Sequence, residues 1–366
     1  MDDRHPADHI ARMTWTLVPA ASFAAFADRW QRLHADSGAS CMLSVDFVAP
    51  LLAEFGAGDA LLACCERGGQ VMAMAIVVPG GRAAWATFQP AQAPLGLWLQ
   101  RPDQALEPLL RGLLQALPGM PLVLGLTQMD PLLAPRPADV GRIRTLDYID
   151  TAHVDIDGGF DDYWNARGKN LRNNLKKQRN RLEREGIVPR LEICRAPREV
   201  AAAVADYGRL ETSGWKAGQG TAVHAGNAQG RYYRAMLEAF CRRGQGGIYR
   251  YWFGDRLVAM DLCIEDGDTI IVLKTSYDET VPSSLSPTLL MREEATRRLF
   301  EEGRIRRIEF YGRVMEWHLR WTDQVRTMYH VNYYRWPGLR RLQAMLESRR
   351  RSPQASAQHI TEPPCT

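Results

Sequence analysis

The chain repeats its own plan at long period, and that repetition restricts its fold more than any other feature. Residues 15–30 (WTLVPAASFAAFADRW) and 192–207 (EICRAPREVAAAVADY) each read as a short strand, a Pro-marked turn and an Ala-rich helix. Residues 59–88 then hold three apolar runs punctuated by Gly68-Gly69 and Gly80-Gly81. Residues 247–276 hold three more, punctuated by Gly254-Asp255 and Asp266-Gly267. Such pairs between apolar runs mark hairpins, because tight turns need positive φ. Each meander is followed by a helix (residues 104–117 and 288–302) and a further strand (residues 122–127 and 307–311). The pattern predicts an α+β domain made twice, over residues 14–150 and 151–335. Residues 1–13 form a short leading tail, and residues 336–366 a basic helix and a polar tail. Each copy is expected to hold a mixed, mostly antiparallel sheet flanked by helices, with the crossover helix bringing in one parallel neighbour.

Composition narrows the class. A content of 46% hydrophobic and 24% charged residues is that of a water-facing globular protein. No run reaches the roughly 18 apolar residues of a membrane span. The first thirteen residues carry three acids and no apolar core, so no secretory signal is expected there. Seven scattered cysteines with no CxxC pair read as free thiols in a reducing cytoplasm and give no metal site.

The net charge of +4 is mild, but it concentrates in residues 161–186, DDYWNARGKNLRNNLKKQRNRLEREG. Phe160, Trp164, Leu171, Leu175 and Leu182 recur at helical spacing and predict one apolar stripe along a single helix. Arg167, Lys169, Arg172, Lys176, Lys177, Arg179, Arg181 and Arg184 cover the other faces. Such a helix is either a solvated connector or a platform for an anionic partner such as nucleotide phosphates, an acidic glycan, tRNA or a membrane surface. Residues 335–351 (RWPGLRRLQAMLESRRR) repeat the theme beside Trp336.

The second copy holds the candidate cofactor site. Residues 269–276 (TIIVLKTS) read as a β-branched strand, residues 277–286 as a loop, and Ser286-Pro287 as the N-cap and first residue of a helix closed by Gly303. Amides at such a helix start suit a pyrophosphate, placing Ser286, Pro287, Thr288, Leu289 and Leu290 at the anion.

At this point the chain resembles a known family. The basic run of residues 163–186, then LETSGWKAG, KTSYDET with LSPTLL, and EFYGRVMEWHLRWTD occur in order over residues 160–323. Together they resemble the GNAT-superfamily acyltransferases associated with cellulose and exopolysaccharide synthesis, distant relatives of the Fem aminoacyltransferases. The resemblance implies tandem GNAT-like domains, the first degenerate. It also implies acyl-CoA, expected to be acetyl-CoA, as co-substrate, with no metal. The acceptor would be an amine or hydroxyl of a sugar-, amino-acid- or peptide-type molecule in exopolysaccharide or cell-envelope metabolism. Two departures stand out: Thr288 replaces the usual Gly after Ser-Pro, and Trp317-His318 replaces a Tyr-Lys.

Acyl transfer to an amine needs a proton acceptor, an oxyanion donor and an acid for the leaving thiolate. Glu211 and Asp278 are the candidate bases, Tyr277 the candidate acid, and His318 a further titratable group. Trp215, Lys216, Arg172 and Lys176 are candidates for holding an anionic acceptor. Structural roles compete for each: a surface ion pair for Glu211, turn chemistry for Tyr277 and Asp278, aromatic packing for His318, interface packing for Trp215. Asp261, a carboxylate on an apolar strand face, either looks to solvent or aims into the cleft. The alternatives to an acyl-CoA enzyme are an aminoacyl-tRNA-dependent transferase of the Fem kind and a catalytically silent binding module, such as an adaptor at a polysaccharide-synthesis complex; peripheral membrane contact is open under each.

Overall fold

The protein is described by a computed structural model covering residues 12–81, 83–212, 223–224 and 226–351. The first copy runs β1 (Thr14–Pro19), α1 (Phe23–Ser37), α2 (Val45–Phe55), β2 (Leu61–Arg67), β3 (Gln70–Pro79), β4 (Ala84–Thr87), β5 (Trp98–Gln100), α3 (Leu106–Ala116) and β6 (Val123–Met129). After β7 (Ile143–Asp155), α4 (Phe160–Asn165) and α5 (Lys169–Arg184), the second copy repeats that order without a counterpart of β5. It runs β8 (Pro189–Cys194), α6 (Pro197–Thr212), α7 (Ala228–Arg242), β9 (Gly246–Phe253), β10 (Arg256–Asp266), β11 (Thr269–Tyr277), α8 (Pro287–Glu302) and β12 (Arg307–Glu309). Strand β13 (Val325–Tyr334) and helix α9 (Pro337–Arg351) follow. The fold is tandem α+β. Local chemistry sets the element ends: Pro287 sits at the first helical position of α8, and Gly303 ends it in the left-handed conformation at φ 65°.

The two sheets join edge to edge. Their shared order is β1-β2-β3-β4-β6-β13-β7-β12-β11-β10-β9-β8, with β5 paired to β3 off this path. The pairs β4–β6 and β11–β12 are parallel, each bridged by its crossover helix, and the other pairs are antiparallel. Strand β7, which follows the first copy, pairs with β12 of the second, and β13, which follows the second copy, pairs with β6 of the first. β7 and β13 also pair with each other. One continuous strand therefore runs across residue 150, where the sequence pattern places the boundary between copies.

Three apolar clusters hold the layers. One draws on both copies, packing α1 and α2 with α6 and α7. Within it Tyr232 meets Phe47 and Phe55 edge to face, with ring centroids 5.9 and 5.7 Å apart. The others lie under α3 and under α5 and α8. Residues 160–186 do not form the single helix their spacing predicts. The chain breaks before Gly168, which is extended at φ −53° and ψ 133° and caps a new helix. Glycine's backbone entropy makes it a poor helix interior residue. Leu171, Leu175 and Leu182 still share the buried stripe, with Gln178 added to it. Among the described residues no helix is long and apolar enough to cross a membrane.

Candidate active site

Strands β11 and β12 pair in parallel only through Ile271 and Glu309, and then part. At the parting, β11 carries a bulge. Leu262 faces Lys274 while Cys263 faces Val272, so Leu273 is left out of the ladder. Bulges re-aim the side chains beside them. Successive side chains on a strand point to opposite faces, so Lys274 and Thr275 look into two different environments.

On the α8 face lies a cleft of about 860 Å³, lined by Thr275, Tyr277, Asp278, Ser286, Pro287, Thr288 and Leu289, with Arg292, Trp317 and Trp321 among its other walls. That volume is in the range of pockets that take a cofactor-sized ligand. Arg292 rises from α8 at its foot, 2.8 Å from Asp261. Thr275 donates to Asp261, and Arg292 donates to the Thr275 hydroxyl at 3.3 Å. Phe310 and Trp317 lie against the guanidinium. Asp261 is thus neither a solvent-facing strand residue nor a lining group, but the buried half of an ion pair beneath the cleft. The backbone of Trp321 is fixed from behind, because Tyr163 and Arg167 both donate to its main-chain carbonyl, at 2.9 and 2.8 Å.

The helix start is less open than its sequence implies. Pro287 has no N–H. The Ser286 amide donates to the side chain of Gln178 at 2.7 Å. Leu289 and Leu290 both donate to the Ser286 carbonyl at 3.1 Å, and the Leu290 side chain is buried in the core. Of these amides, Thr288's alone takes no such partner among the described residues, and Thr288 lines the cleft, so one donor remains where the sequence suggests several. Arg320 completes the cleft wall beside Trp321. Helix α5 packs against the loop and α8 from outside the lining: Arg181 reaches Ser284, and Arg179 donates to Glu293 at 2.9 and 3.1 Å. Lys176 is exposed on the same helix. Arg172 turns back to the Arg167 carbonyl at 3.1 Å and Asn165 at 3.3 Å.

Asp278 and Tyr277 line this cleft. Asp278 accepts from Arg256 at 2.6 and 2.9 Å and from the amide and hydroxyl of Thr280. Burial pushes its carboxyl up, but the bonds from Thr280 and Arg256 outweigh it and hold it below the ordinary aspartate value. A carboxylate so occupied is a weak proton acceptor. Tyr277 is exposed. His318 is not among the lining residues. It stacks on Trp317 with centroids 3.6 Å apart, and its Nδ1 accepts from the Met315 amide. Burial, with Arg292 nearby, pushes its pKa down to about 4, so the ring is neutral at pH 7.

On the opposite face, against α6 and α7, Glu211 is 3% exposed. It accepts from the Val223 amide at 2.6 Å and from Lys274 at 3.1 Å, while Tyr207 lies 3.5 Å away. Lys274 in turn sits over the rings of Tyr207 and Tyr233. The structure therefore separates the sequence candidates by sheet face: Tyr277 and Asp278 with the cleft, Glu211 with Lys274 beneath α6. Trp215 and Lys216 lie outside the described residues. Sequence reasoning missed Lys274 and Arg292, though each is a cation in an otherwise apolar strand or helix face. It also missed Arg326 of β13, which joins Asp130 of the first copy to Glu309 of the second. A smaller, more apolar cleft of about 400 Å³ lies in the first copy, between β5 and the end of β6.

Residues 169–319 match the family model described as acetyltransferase (GNAT) domain. No curated protein matches the chain. The C-terminal domain of a putative lysylphosphatidylglycerol synthetase from Agrobacterium fabrum is similar in fold at a TM-score of 0.53. It has 14% identity, covering 84% of this chain and 91% of that one. The FemX crystal structure is similar at a TM-score of 0.52 and 9% identity, covering 85% and 97%. The parting strands, their crossover helix and the matched segment coincide, and the similarity of residues 169–319 to the acetyltransferase (GNAT) domain falls on the part of the chain that carries the cleft.

Proposed function

We propose that the second copy transfers an acyl group, in the first instance acetyl, from an acyl-CoA bound in the larger cleft to an amine or hydroxyl of a small or glycan-precursor acceptor. The observation that carries this reading is the parting of β11 from β12 directly beside a cleft walled by the start of α8. Acyl-CoA supplies the activated thioester. Thr288 and Arg320, both in the cleft wall, would hold its phosphates, fewer amides being offset by a cation. The two candidate proton acceptors are Asp278, at the cleft and held by Arg256 and Thr280, and Glu211, on the other sheet face and held by Lys274 and the Val223 amide. Lys274 fixes Glu211 in place and orients it. The backbone at the Leu273 bulge is the candidate donor to the oxyanion. An acceptor in exopolysaccharide or cell-envelope metabolism is consistent with this site.

The test is thiol release from a panel of acyl-CoAs offered with amine and sugar-nucleotide acceptors. Substitution of the base, by Asp278→Asn or Glu211→Gln, should lower turnover by about 10²–10⁴-fold with donor affinity nearly intact, and near-wild-type rates in both variants would exclude both carboxylates. Thr288→Glu should weaken donor binding by calorimetry. Absence of both binding and thiol release for every acyl-CoA would overturn the reading. A second reading, an aminoacyl-tRNA donor, is favoured by the exposed cations of α5, among them Lys176 and Lys177. Salt-dependent retention of tRNA without coenzyme A binding would select it.

A further inference from the structure

One edge of the molecule carries an apolar patch that neither the cleft nor the core uses. Met120, Val140, Trp336, Leu342 and Met345 are each 50–69% exposed. They belong to three separate segments that hydrogen bonds draw together where β13 leads into α9. Arg335, next to Trp336, donates to the Pro121 carbonyl at 2.7 Å and so brings up the turn holding Met120. Arg340 donates to the Asp139 carbonyl at 3.2 Å and to its carboxylate, bringing up Val140. Met120 is held in the left-handed region at φ 48°, a conformation that costs a side-chain-bearing residue energy. The turn thus presents a methionine to solvent at some expense. Apolar patches of this kind on a folded surface mark contact sites.

The charge around the patch selects the occupant. Helix α9 (PGLRRLQAMLESRRR) carries five arginines against one glutamate, with none of its acids in the first turn. Arg341 is exposed between the patch residues, and Arg349, Arg350 and Arg351 form the last turn. A second copy of the chain on a twofold axis would set these like charges against each other. Residues 352–366, which follow α9, hold Ile360 as their one large aliphatic or aromatic residue and offer little to cover the patch. An amphipathic helix with apolar residues beside arginines, and a tryptophan at its boundary, matches the interface of an anionic bilayer. We propose that this edge, α9 with the Met120 and Val140 turns, seats the protein on a lipid surface bearing negatively charged headgroups.

Flotation of the full chain with vesicles tests it. Wild type should float with phosphatidylcholine vesicles containing phosphatidylglycerol, should float poorly with phosphatidylcholine alone, and should be released as salt rises. Trp336→Ser/Leu342→Asp should lower partition at least about tenfold by removing apolar contact, with an unchanged circular dichroism spectrum and unchanged monomer mass. Arg341→Glu should weaken binding to anionic vesicles only. Four outcomes would overturn the proposal. These are no flotation of wild type, equal flotation with neutral and anionic vesicles, equal partition of the double variant, and a concentration-dependent dimer that the double variant abolishes. The last would reassign the patch to an interface between copies.

Discussion

Glu309→Gln probes the polar junction where the two copies meet. Glu309 is 3% exposed and accepts both contacts of one Arg326 nitrogen, at 2.9 and 3.1 Å. The other edge of that guanidinium donates to Asp130 at 2.7 and 2.9 Å, and Tyr311 donates to Asp130 at 2.8 Å. Two buried carboxylates thus share one guanidinium. Burial pushes Glu309 up from 4.5 to about 7 in spite of Arg326, with Asp130 adding to the rise. A gap of about 2.5 pH units at about 1.4 kcal/mol each corresponds to about 3 kcal/mol. Because the folded-state value is the raised one, the unfolded chain releases this proton first. The stabilising contribution is whole below about pH 4.5 and is lost as the pH rises to about 7. Glutamine keeps a neutral hydrogen-bonding group that does not titrate. Between about pH 4 and 8, the stability of Glu309→Gln relative to wild type should therefore rise by about 3 kcal/mol. Urea titrations followed by tryptophan fluorescence at a series of pH values measure it. His318, held neutral down to about pH 4, weakens both proteins alike as the pH falls from 6.5, and so cancels in the difference. A difference that stays flat across the window would refute the argument. A difference of opposite sign would show that Arg326 keeps Glu309 ionised in the folded protein.

Two further substitutions bear on the site. A Cβ added at Gly208 would lie 2.6 Å from the Val223 carbonyl, whose residue also donates its amide to Glu211. Gly208→Ala should therefore cost about 1–3 kcal/mol and depress thiol release, and wild-type values in both thermal unfolding and turnover would refute it. Arg179→Glu turns a charge against Glu293, which is 7% exposed, and should cost about 3–5 kcal/mol in urea titrations. Lys176→Glu and Lys177→Glu, both at exposed positions, should stay within about 0.5 kcal/mol of wild type. Equal effects from all three would show that the Arg179 pair adds nothing.

The sequence by itself determined what depends on neighbours along the chain. Gly and Asp turn pairs placed both meanders, Pro287 and Gly303 bounded α8, and the recurrence of these signals disclosed the duplication. It also singled out Glu211, Asp278 and the loop before α8 as chemically loaded. The partners of those residues were decided only in three dimensions. Gln178 occupies the Ser286 amide from 108 residues away, and Lys274 meets Glu211 across 63. Arg326 gathers Asp130 from 196 residues away and Glu309 from 17. The exchange of β7 and β13 between the copies is of the same kind. Hairpin and helix signals act over a few residues, through backbone dihedrals and side-chain periodicity. Which edge a strand pairs with, and which charge a buried carboxylate meets, depends on the tertiary packing that closes both copies into one sheet. An alternating strand pattern is satisfied equally well beside either neighbour, and only that packing chooses between them.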